Sequence, residues 1–92
     1  MEVKWDPEKN RQLLETRNVC FEMILEKIIS DDFIGPEVNP TREKQYRIIV
    51  LIEGYPFVVP MVIDQGGNWL LKSIYPSRKE KERFSEYEKQ SR

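Results

Sequence analysis

Seven residues near the end of the chain, IYPSRKE from Ile74 to Glu80, combine groups that could bind a phosphate with groups that could begin a helix. Ser77 and Glu80 have the spacing of a capping box, in which each side chain bonds the backbone N–H of the other residue. Arg78 and Lys79 lie in the same first turn, where the helix dipole disfavours cations. A phosphate at that helix end would account for both cations, because free N–H groups already point outward there. The stretch is therefore a helix cap, an anion site, or both.

Lys72 and Tyr75 are the side chains of this region that could move a proton. Alternation along the predicted strand WLLKSIY places Lys72 on the same face as Leu70 and Ile74. A lysine among apolar neighbours either extends its amine to water at a strand end or is held there for a purpose. In the second case desolvation would favour the neutral amine, which could act as a base.

Cations and tyrosines around the first long strand leave two interpretations open. The cations at its entrance are Arg42, Lys44 and Arg47. They could lie near the strand that ends at Tyr75 and bind phosphate, or they could protect a sheet edge by charge. The tyrosines are Tyr46, Tyr55 and Tyr75. They could stack on a nucleic-acid base, or they could be half-buried sheet residues with a hydrated hydroxyl.

The composition limits the kinds of site that the chain can contain. Its 92 residues, 39% hydrophobic and 34% charged, predict one small globular domain over residues 1–92. Histidine is absent and Cys20 is the single cysteine, which excludes histidine-based triads, internal disulfides and the usual transition-metal ligand sets. We therefore expect no metal and no cofactor. The longest apolar run, PFVVPMVI, is too short to cross a bilayer and no secretion leader is recognisable, so we expect a cytoplasmic location.

Charge is distributed unevenly along the chain. Net charge is -1, but residues 1–40 carry 5 basic and 9 acidic side chains, whereas residues 72–92 carry 7 basic and 4 acidic ones. The basic end could hold an anion locally. It could equally form a solvated helix that is rich in salt bridges.

Two helices are predicted after a short first strand at residues 2–5. Asp6 and Pro7 supply the first helix with an N-cap and a first-turn proline. Its apolar stripe is limited to Leu13 and Leu14, so we expect this helix to lie on the surface. The second helix, FEMILEKII, has a strong apolar stripe at helical spacing and should face the core. The stripe consists of Phe21, Ile24, Leu25, Ile28 and Ile29.

Three strands and a polar helix are predicted in the second half of the chain, after a loop. The first strand, residues 45–54, has a continuous apolar centre, as expected for a strand covered on both faces. Pro60 suggests an edge or a bulge in the second strand, because proline cannot donate a ladder hydrogen bond. The turn QGGN leads to the third strand, WLLKSIY. The final helix starts at Ser77 and has Phe84 and Tyr87 as sparse anchors. The order β-α-α-β-β-β-α predicts an α+β domain with helices beside a mostly antiparallel sheet.

Two segments resemble the BrnT toxins, small ribonucleases of bacterial type II toxin–antitoxin pairs with a RelE-like fold. The opening VKWDPEKNRQLLETRNVCFEMILE is similar to theirs at Trp5, Asp6, Lys9, Asn10, Val19, Phe21 and Glu22. The later LKSIYPSRK is similar to a motif of a BrnT-related branch at Lys72, Ile74, Pro76, Ser77, Arg78 and Lys79. The resemblance extends over residues 2 to 80.

The sequence departs from the BrnT pattern at three places. Arg17-Asn18 stands where a His-Gly pair is typical, so any role of that histidine is lost or reassigned. Cys20 stands where a serine would cap the second helix, and cysteine is a poor cap. YPSR replaces a Ser-Ala-Arg-Arg end, which leaves Arg78 as the clearest positional match.

The resemblance implies a BrnT-like fold and a metal-independent endoribonuclease that cleaves mRNA and blocks translation. Its reaction would be attack of a 2′-hydroxyl on the adjacent phosphate. The residues expected to be catalytic are Lys72, Tyr75 and Arg78, with Lys72 or Tyr75 as the group that transfers protons. Those expected to bind RNA phosphates are Arg42, Lys44, Arg47 and Lys79.

The implied partners are an RNA substrate and a cognate antitoxin, expected to be a small ribbon-helix-helix DNA-binding protein. Operator DNA would then be reached only through the antitoxin, and no membrane is involved. Two other functions remain open. The chain could be a non-catalytic toxin homologue that acts through its antitoxin, or a housekeeping RNA-binding domain.

Overall fold

A six-stranded sheet with two helices on one face organises residues 1–84, which are the residues that the structure, a computed structural model, describes. The elements are β1 (Val3–Trp5), α1 (Pro7–Arg17), α2 (Phe21–Ile29), β2 (Ile34–Val38), β3 (Tyr46–Ile52), β4 (Tyr55–Ile63), β5 (Trp69–Leu71) and β6 (Tyr75–Pro76). The strand order is β1-β5-β4-β3-β2, and β6 pairs with β4. Among these strands β1 and β5 pair in parallel and the other pairs are antiparallel. The α+β class and the mostly antiparallel sheet are therefore confirmed. None of the described helices is long and apolar enough to span a membrane.

α1 is the surface helix that the sequence predicts. The Asp6 carboxylate accepts a 3.0 Å hydrogen bond from the Glu8 N–H, which confirms the N-cap. The helix ends where Asn18 adopts a left-handed conformation with φ 57°. Leu13 is buried, but Leu14 is 52% exposed, so its predicted role as a core anchor is wrong. A helix that lies on the surface needs only the narrow stripe that Leu13 provides.

α2 packs on the sheet through its first two turns. Phe21 and Ile24 are fully buried there, as predicted. Ile29 is 75% exposed, contrary to the prediction, because it ends the helix and packs against neither apolar cluster. Cys20 makes no side-chain capping bond, and Asn10 of α1 takes over this role. The Asn10 side-chain oxygen accepts the Phe21 N–H at 2.6 Å, and its amide nitrogen donates to the Glu22 carboxylate.

Both faces of β3 are covered, as its continuous apolar run predicts. Ile48 and Val50 point into the cluster formed with α1 and α2. Ile49 points to the opposite face, where it joins Val58 and Phe84 in a second cluster. Each such fully buried side chain contributes about 1.5–3 kcal/mol. Phe84 is thus confirmed as an anchor of the C-terminal segment, whereas Tyr87 lies outside the described residues.

β2 forms in a segment where the sequence predicts a loop. It is the edge strand beside β3, where Pro36 can be tolerated because an edge strand has a free side. Gly35 has φ 112°, and a Cβ on it would lie 2.8 Å from the Arg47 carbonyl oxygen. The register shifts between Ile34 and Glu37, so this glycine belongs to an irregular, closely packed strand.

The last predicted strand is interrupted. β5 ends at Leu71 and β6 begins at Tyr75, so Leu70, Lys72 and Ile74 do not share one face of a strand. Pro60 lies in β4 at the middle of the sheet, so the prediction of an edge or a bulge in that strand is wrong. Its carbonyl accepts the Lys72 N–H at 2.8 Å, and its missing N–H faces the same side. The irregularity therefore falls on the neighbouring strand, between β5 and β6.

The capping box predicted for Ser77 and Glu80 does not form. Ser77 makes no side-chain capping bond, and its N–H donates to the Pro56 carbonyl at 3.0 Å. Residues Arg78–Glu80 form a 3-10 turn before helical residues 81–84. Glu80 is only 6% exposed, and its carboxylate pairs with arginines instead of reaching back to Ser77. Hydrogen bonds between ionised partners such as these are roughly twice as strong as those between neutral groups.

Candidate functional site

A cationic cleft of about 550 Å³ opens between α1, the loop after β2, and the segment that joins β5 to β6. Four of its lining residues are cations, and none of the described lining residues is acidic. The cations are Lys9, Arg17, Arg42 and Lys72. The other lining residues are Asn39, Thr41, Gln45, Pro60, Ser73 and Tyr75. We call this depression the cationic cleft.

Arg17 connects two walls of the cationic cleft. It is the last residue of α1, and its guanidinium donates a 2.7 Å hydrogen bond to the carbonyl oxygen of Ile74. Ile74 lies in the interruption between β5 and β6, outside the strand pairings. The bond therefore satisfies a carbonyl that the sheet does not use, and it fixes the end of α1 against that segment.

A tight turn after β2 places Arg42 at the cleft. The buried Asn39 side chain accepts hydrogen bonds from the N–H of Thr41 at 3.1 Å and from its hydroxyl at 2.9 Å. The Asn39 N–H donates to the Gln45 carbonyl at 2.9 Å, which closes the loop at its other end. Such side-chain bonds hold a loop in one conformation. Arg42 therefore extends from an ordered turn.

The cations of the cleft have no acidic partners among residues 1–84. Arg17 bonds a backbone carbonyl, and no ion pair within 4.0 Å involves Lys9, Arg42 or Lys72. Elsewhere on α1, in contrast, Arg11 pairs with two glutamates. Four like charges around one cleft repel each other, and a bound anion would relieve that repulsion. The cleft is therefore suited to a polyanion.

Lys72 and Tyr75 do lie in the same cleft, as their predicted shared role requires. Lys72 is exposed just after β5 ends at Leu71, so of its two predicted alternatives the structure favours an amine that extends to water at a strand end. Tyr75 is half-buried and packs against the second cluster beside Val58 and Phe84. Its ring is thus held by the core while part of it faces the cleft.

Arg78 and Lys79 line a neighbouring groove of about 520 Å³ instead of the cleft. Thr41 and Tyr75 line both depressions, so the two are adjacent. We call the second depression the Arg78 groove. The expected single site of Arg78 with Lys72 is therefore divided between two adjoining depressions.

Arg47 and Lys44 lie apart from the cleft. The Arg47 guanidinium donates to Glu37 at 2.8 Å and to Glu80 at 3.2 Å, and its side chain is only 16% exposed. It therefore anchors the C-terminal segment to the sheet and is not free to bind a phosphate. Lys44 is exposed with φ 61° and lines neither depression.

The ion pairs around Arg47 form a network that also includes Arg83. Arg83 donates to both carboxylate oxygens of Glu37, at 2.8 and 3.0 Å, and to Glu80 at 3.1 Å. The hydrogen bonds from Arg83, followed by those from Arg47, hold the pKa of Glu37 below its usual value despite partial burial. The same contacts with Glu37 raise the pKa of Arg83.

Sequence reasoning missed Lys9 and Arg17 as site residues. Both lie on α1, about two turns apart, and line the cleft together with Lys72. Lys9 belongs to the segment that resembles the BrnT opening, and Arg17 stands where that pattern has a histidine, so a signal was present in the sequence. Only the fold brings these residues to the strand interruption that carries Lys72.

Comparison with known proteins identifies the fold. No protein-family model matches the sequence, and no curated protein matches it either. The structure is similar to the crystal structure of the Brucella abortus ribonuclease toxin BrnT, with a TM-score of 0.62 and 18% sequence identity. The similarity covers 84% of this chain and 96% of that chain. The chain therefore has a BrnT-like toxin fold, as predicted.

Proposed function

We propose that this chain, which has the fold of a ribonuclease toxin, is itself the toxin of a bacterial type II toxin–antitoxin pair and cleaves mRNA in the cationic cleft. The observation that supports this proposal is the set of four cations around one cleft, without an acidic lining residue among those described. RNA presents a regular row of phosphates, and such a cleft attracts it. The similarity to BrnT supports the reaction class.

The proposed reaction is attack of a 2′-hydroxyl on the adjacent phosphorus, with a metal-independent mechanism. A bond forms between the 2′-oxygen and phosphorus, the bond to the 5′-oxygen breaks, and the products are a 2′,3′-cyclic phosphate and a 5′-hydroxyl. Negative charge grows on the phosphate oxygens in the transition state. Arg17 and Arg42 are the groups suited to stabilise it, because a guanidinium can donate two parallel hydrogen bonds to a phosphate.

Proton transfer falls to Lys72 and Tyr75. The arginines of the cleft cannot transfer protons, because an arginine does not release its proton in proteins. Lys72 provides an amine and Tyr75 a phenol in the cleft lining, and both groups can transfer protons. One accepts the proton of the 2′-hydroxyl, and the other donates a proton to the leaving 5′-oxygen. The chain contains no histidine, so no imidazole contributes to these transfers.

The proposed partner is an antitoxin, a small ribbon-helix-helix protein that binds operator DNA and covers the basic surface of the toxin. The exposed Arg78 and Lys79, beside the cleft, are the contact that we assign to it. A partner that supplies carboxylates there would neutralise cations that lack described partners and would block access to Tyr75. We propose a bacterial cytoplasmic location for this toxin, since its proposed substrate, mRNA, is there.

A second candidate function is a non-catalytic toxin homologue that binds RNA or acts only through its partner. The feature that favours it is the cleft lining, which includes neither a histidine nor, among residues 1–84, a carboxylate. Such a lining can bind phosphates without offering the most common general bases.

Induction in a bacterial host separates these functions. The wild-type chain and the double variant Arg17→Ala/Lys72→Ala are expressed without the antitoxin, and growth and RNA integrity are followed. We expect the wild type to stop growth and fragment mRNA, and the variant to do neither at equal protein level. Growth arrest with intact RNA would favour the non-catalytic homologue, and normal growth with the wild type would contradict the toxin function.

A further inference from the structure

We propose that one single strand of RNA occupies the cationic cleft and the Arg78 groove together, so that the protein binds nucleotides beyond the cut phosphate. This inference rests on the proposed function and adds the form of the substrate. Thr41 and Tyr75 line both depressions, so a strand that leaves one passes directly into the other.

The charge of the Arg78 groove suits a second phosphate. Its charged lining residues are Arg47, Arg78, Lys79 and Glu80. Arg47 and Glu80 form an ion pair and largely cancel each other's charge. The positive potential of the groove therefore comes from Arg78 and Lys79. Both are exposed, and neither forms an ion pair with a residue in the described part of the chain.

The groove is held in a fixed position relative to the cleft. The Ser77 N–H bonds the Pro56 carbonyl of β4, and Glu80 is tied to Arg47 of β3. The 3-10 turn that carries Arg78 and Lys79 is therefore fastened to the sheet at both of its ends. Two phosphate-binding positions at a fixed separation select a ligand whose phosphates are joined by a backbone.

Tyr75 lines both proposed phosphate-binding depressions, and its ring is the reason that we expect single-stranded RNA to bind better than a duplex. Tyr75 packs against the cluster that contains Val58 and Phe84, and the same residue lines both depressions. A base can stack on such a ring only when it has left its duplex, and stacking tolerates every base. The geometry thus favours unpaired RNA with little sequence preference at this nucleotide.

The test measures how affinity depends on length, with uncleavable 2′-O-methyl RNA. Binding of a dinucleotide, a single-stranded octanucleotide and the corresponding octamer duplex is followed by fluorescence anisotropy. We expect the wild type to bind the octanucleotide at least about tenfold more tightly than the dinucleotide and than the duplex, because a linked second site raises affinity strongly.

The length ratio is the dissociation constant of the dinucleotide divided by that of the octanucleotide. Arg78→Ala/Lys79→Ala is expected to lower this length ratio by about tenfold. It should also reduce the salt slope of octanucleotide binding by about 1.4, or 0.7 for each lost phosphate contact. Arg11→Ala/Lys27→Ala is the matched control, because it removes the same two residue types from positions that line neither depression, with the Arg11 side chain 57% and the Lys27 side chain 32% exposed. The control should keep the wild-type ratio. If the alanine variant does not fold, Arg78→Gln/Lys79→Gln replaces it.

An unchanged length ratio in the Arg78/Lys79 variant, or equal affinity of the wild type for duplex and single strand, would overturn the inference. RNA fragmentation on induction together with an unchanged ratio would leave the proposed function standing and remove only the extended strand. A length ratio that depends on Arg78 and Lys79, without RNA fragmentation, would support the strand and contradict cleavage.

Discussion

The guanidinium of Arg17 donates a 2.7 Å hydrogen bond to the carbonyl oxygen of Ile74, and this contact joins the end of α1 to the interruption between β5 and β6. Lys9 of the same helix and Lys72 of the interruption line the same cationic cleft. This hydrogen bond thus connects the helix that carries Lys9 to the segment that carries Lys72. The proposed activity depends on this junction.

Glu80→Gln should destabilise the fold by about 2 kcal/mol, because Glu80 is buried between Arg47 and Arg83 and charged hydrogen bonds of this kind contribute about 1.5–3 kcal/mol. The loss stays below that of an isolated buried pair because Arg47 retains Glu37. The free energy of unfolding in urea measures it.

Glu82→Gln is the control for Glu80→Gln, since Glu82 is exposed two residues away. It should change the free energy of unfolding by less than about 0.5 kcal/mol. Equal losses in the two variants would show that the ion network around Glu80 does not anchor the C-terminal segment.

Acid should weaken the fold through Glu37. The hydrogen bonds from Arg83 and then Arg47 lower the pKa of Glu37 in the folded state from an ordinary value of 4.5. A lowered folded-state pKa contributes stability that is fully present above pH 4.5 and is lost as the pH falls through the folded value. The free energy of unfolding should therefore fall as the pH is lowered below 4.5, and less steeply in Glu37→Gln. Parallel curves for the two proteins would exclude Glu37 as a contributor.

Asn10→Ala should cost about 1–2 kcal/mol, because Asn10 supplies the capping bond that Cys20 lacks at the start of α2. Cys20→Ser in the Asn10→Ala background should recover part of this loss, since serine is a good N-cap. Thermal or urea unfolding of the single and double variants measures both effects. A serine that gives no recovery would show that the bonds from Asn10 to Glu22, and not the cap, carry the stability.

Tyr75→Phe and Tyr75→Ala separate the two roles that we assign to the tyrosine. Phenylalanine keeps the ring and removes the hydroxyl, so we expect a loss of about 10²–10⁴ in the rate of RNA cleavage with octanucleotide affinity within twofold of the wild type. Alanine removes both, so it should weaken octanucleotide binding as well. A Tyr75→Phe variant with the wild-type rate would leave proton transfer to Lys72 and other groups.

The sequence predicts the elements that depend on local pattern. The Asp6 cap, the core-facing first turns of α2 and the two-sided burial of β3 each follow from a few neighbouring residues, and each is confirmed. The edge strand β2 escaped prediction because Gly35 and Pro36 are typical of loops, and only pairing with β3 makes that segment a strand.

Interactions between distant segments explain the remaining differences. Ser77 and Glu80 have the spacing of a capping box, but Glu80 is recruited by Arg47, 33 residues earlier in the chain. Lys72 is exposed and not desolvated because the strand is interrupted after Leu71. The cationic cleft gathers residues from α1, the loop after β2 and the β5–β6 segment, and no local pattern encodes that meeting.

Cleavage of single-stranded RNA by the purified chain in EDTA, with Arg17→Ala compared with Arg11→Ala, tests the central claim most directly. Both variants remove an arginine from α1, but only Arg17 lines the cleft. We predict that the wild type yields 2′,3′-cyclic phosphate ends. Arg17→Ala should lower the cleavage rate by about 10²–10³, measured at a pH at which an unfolding curve shows that the variant is folded. Arg11→Ala should change the cleavage rate less than twofold. No cleavage by the wild type, or equal rates for the two variants, would contradict the account.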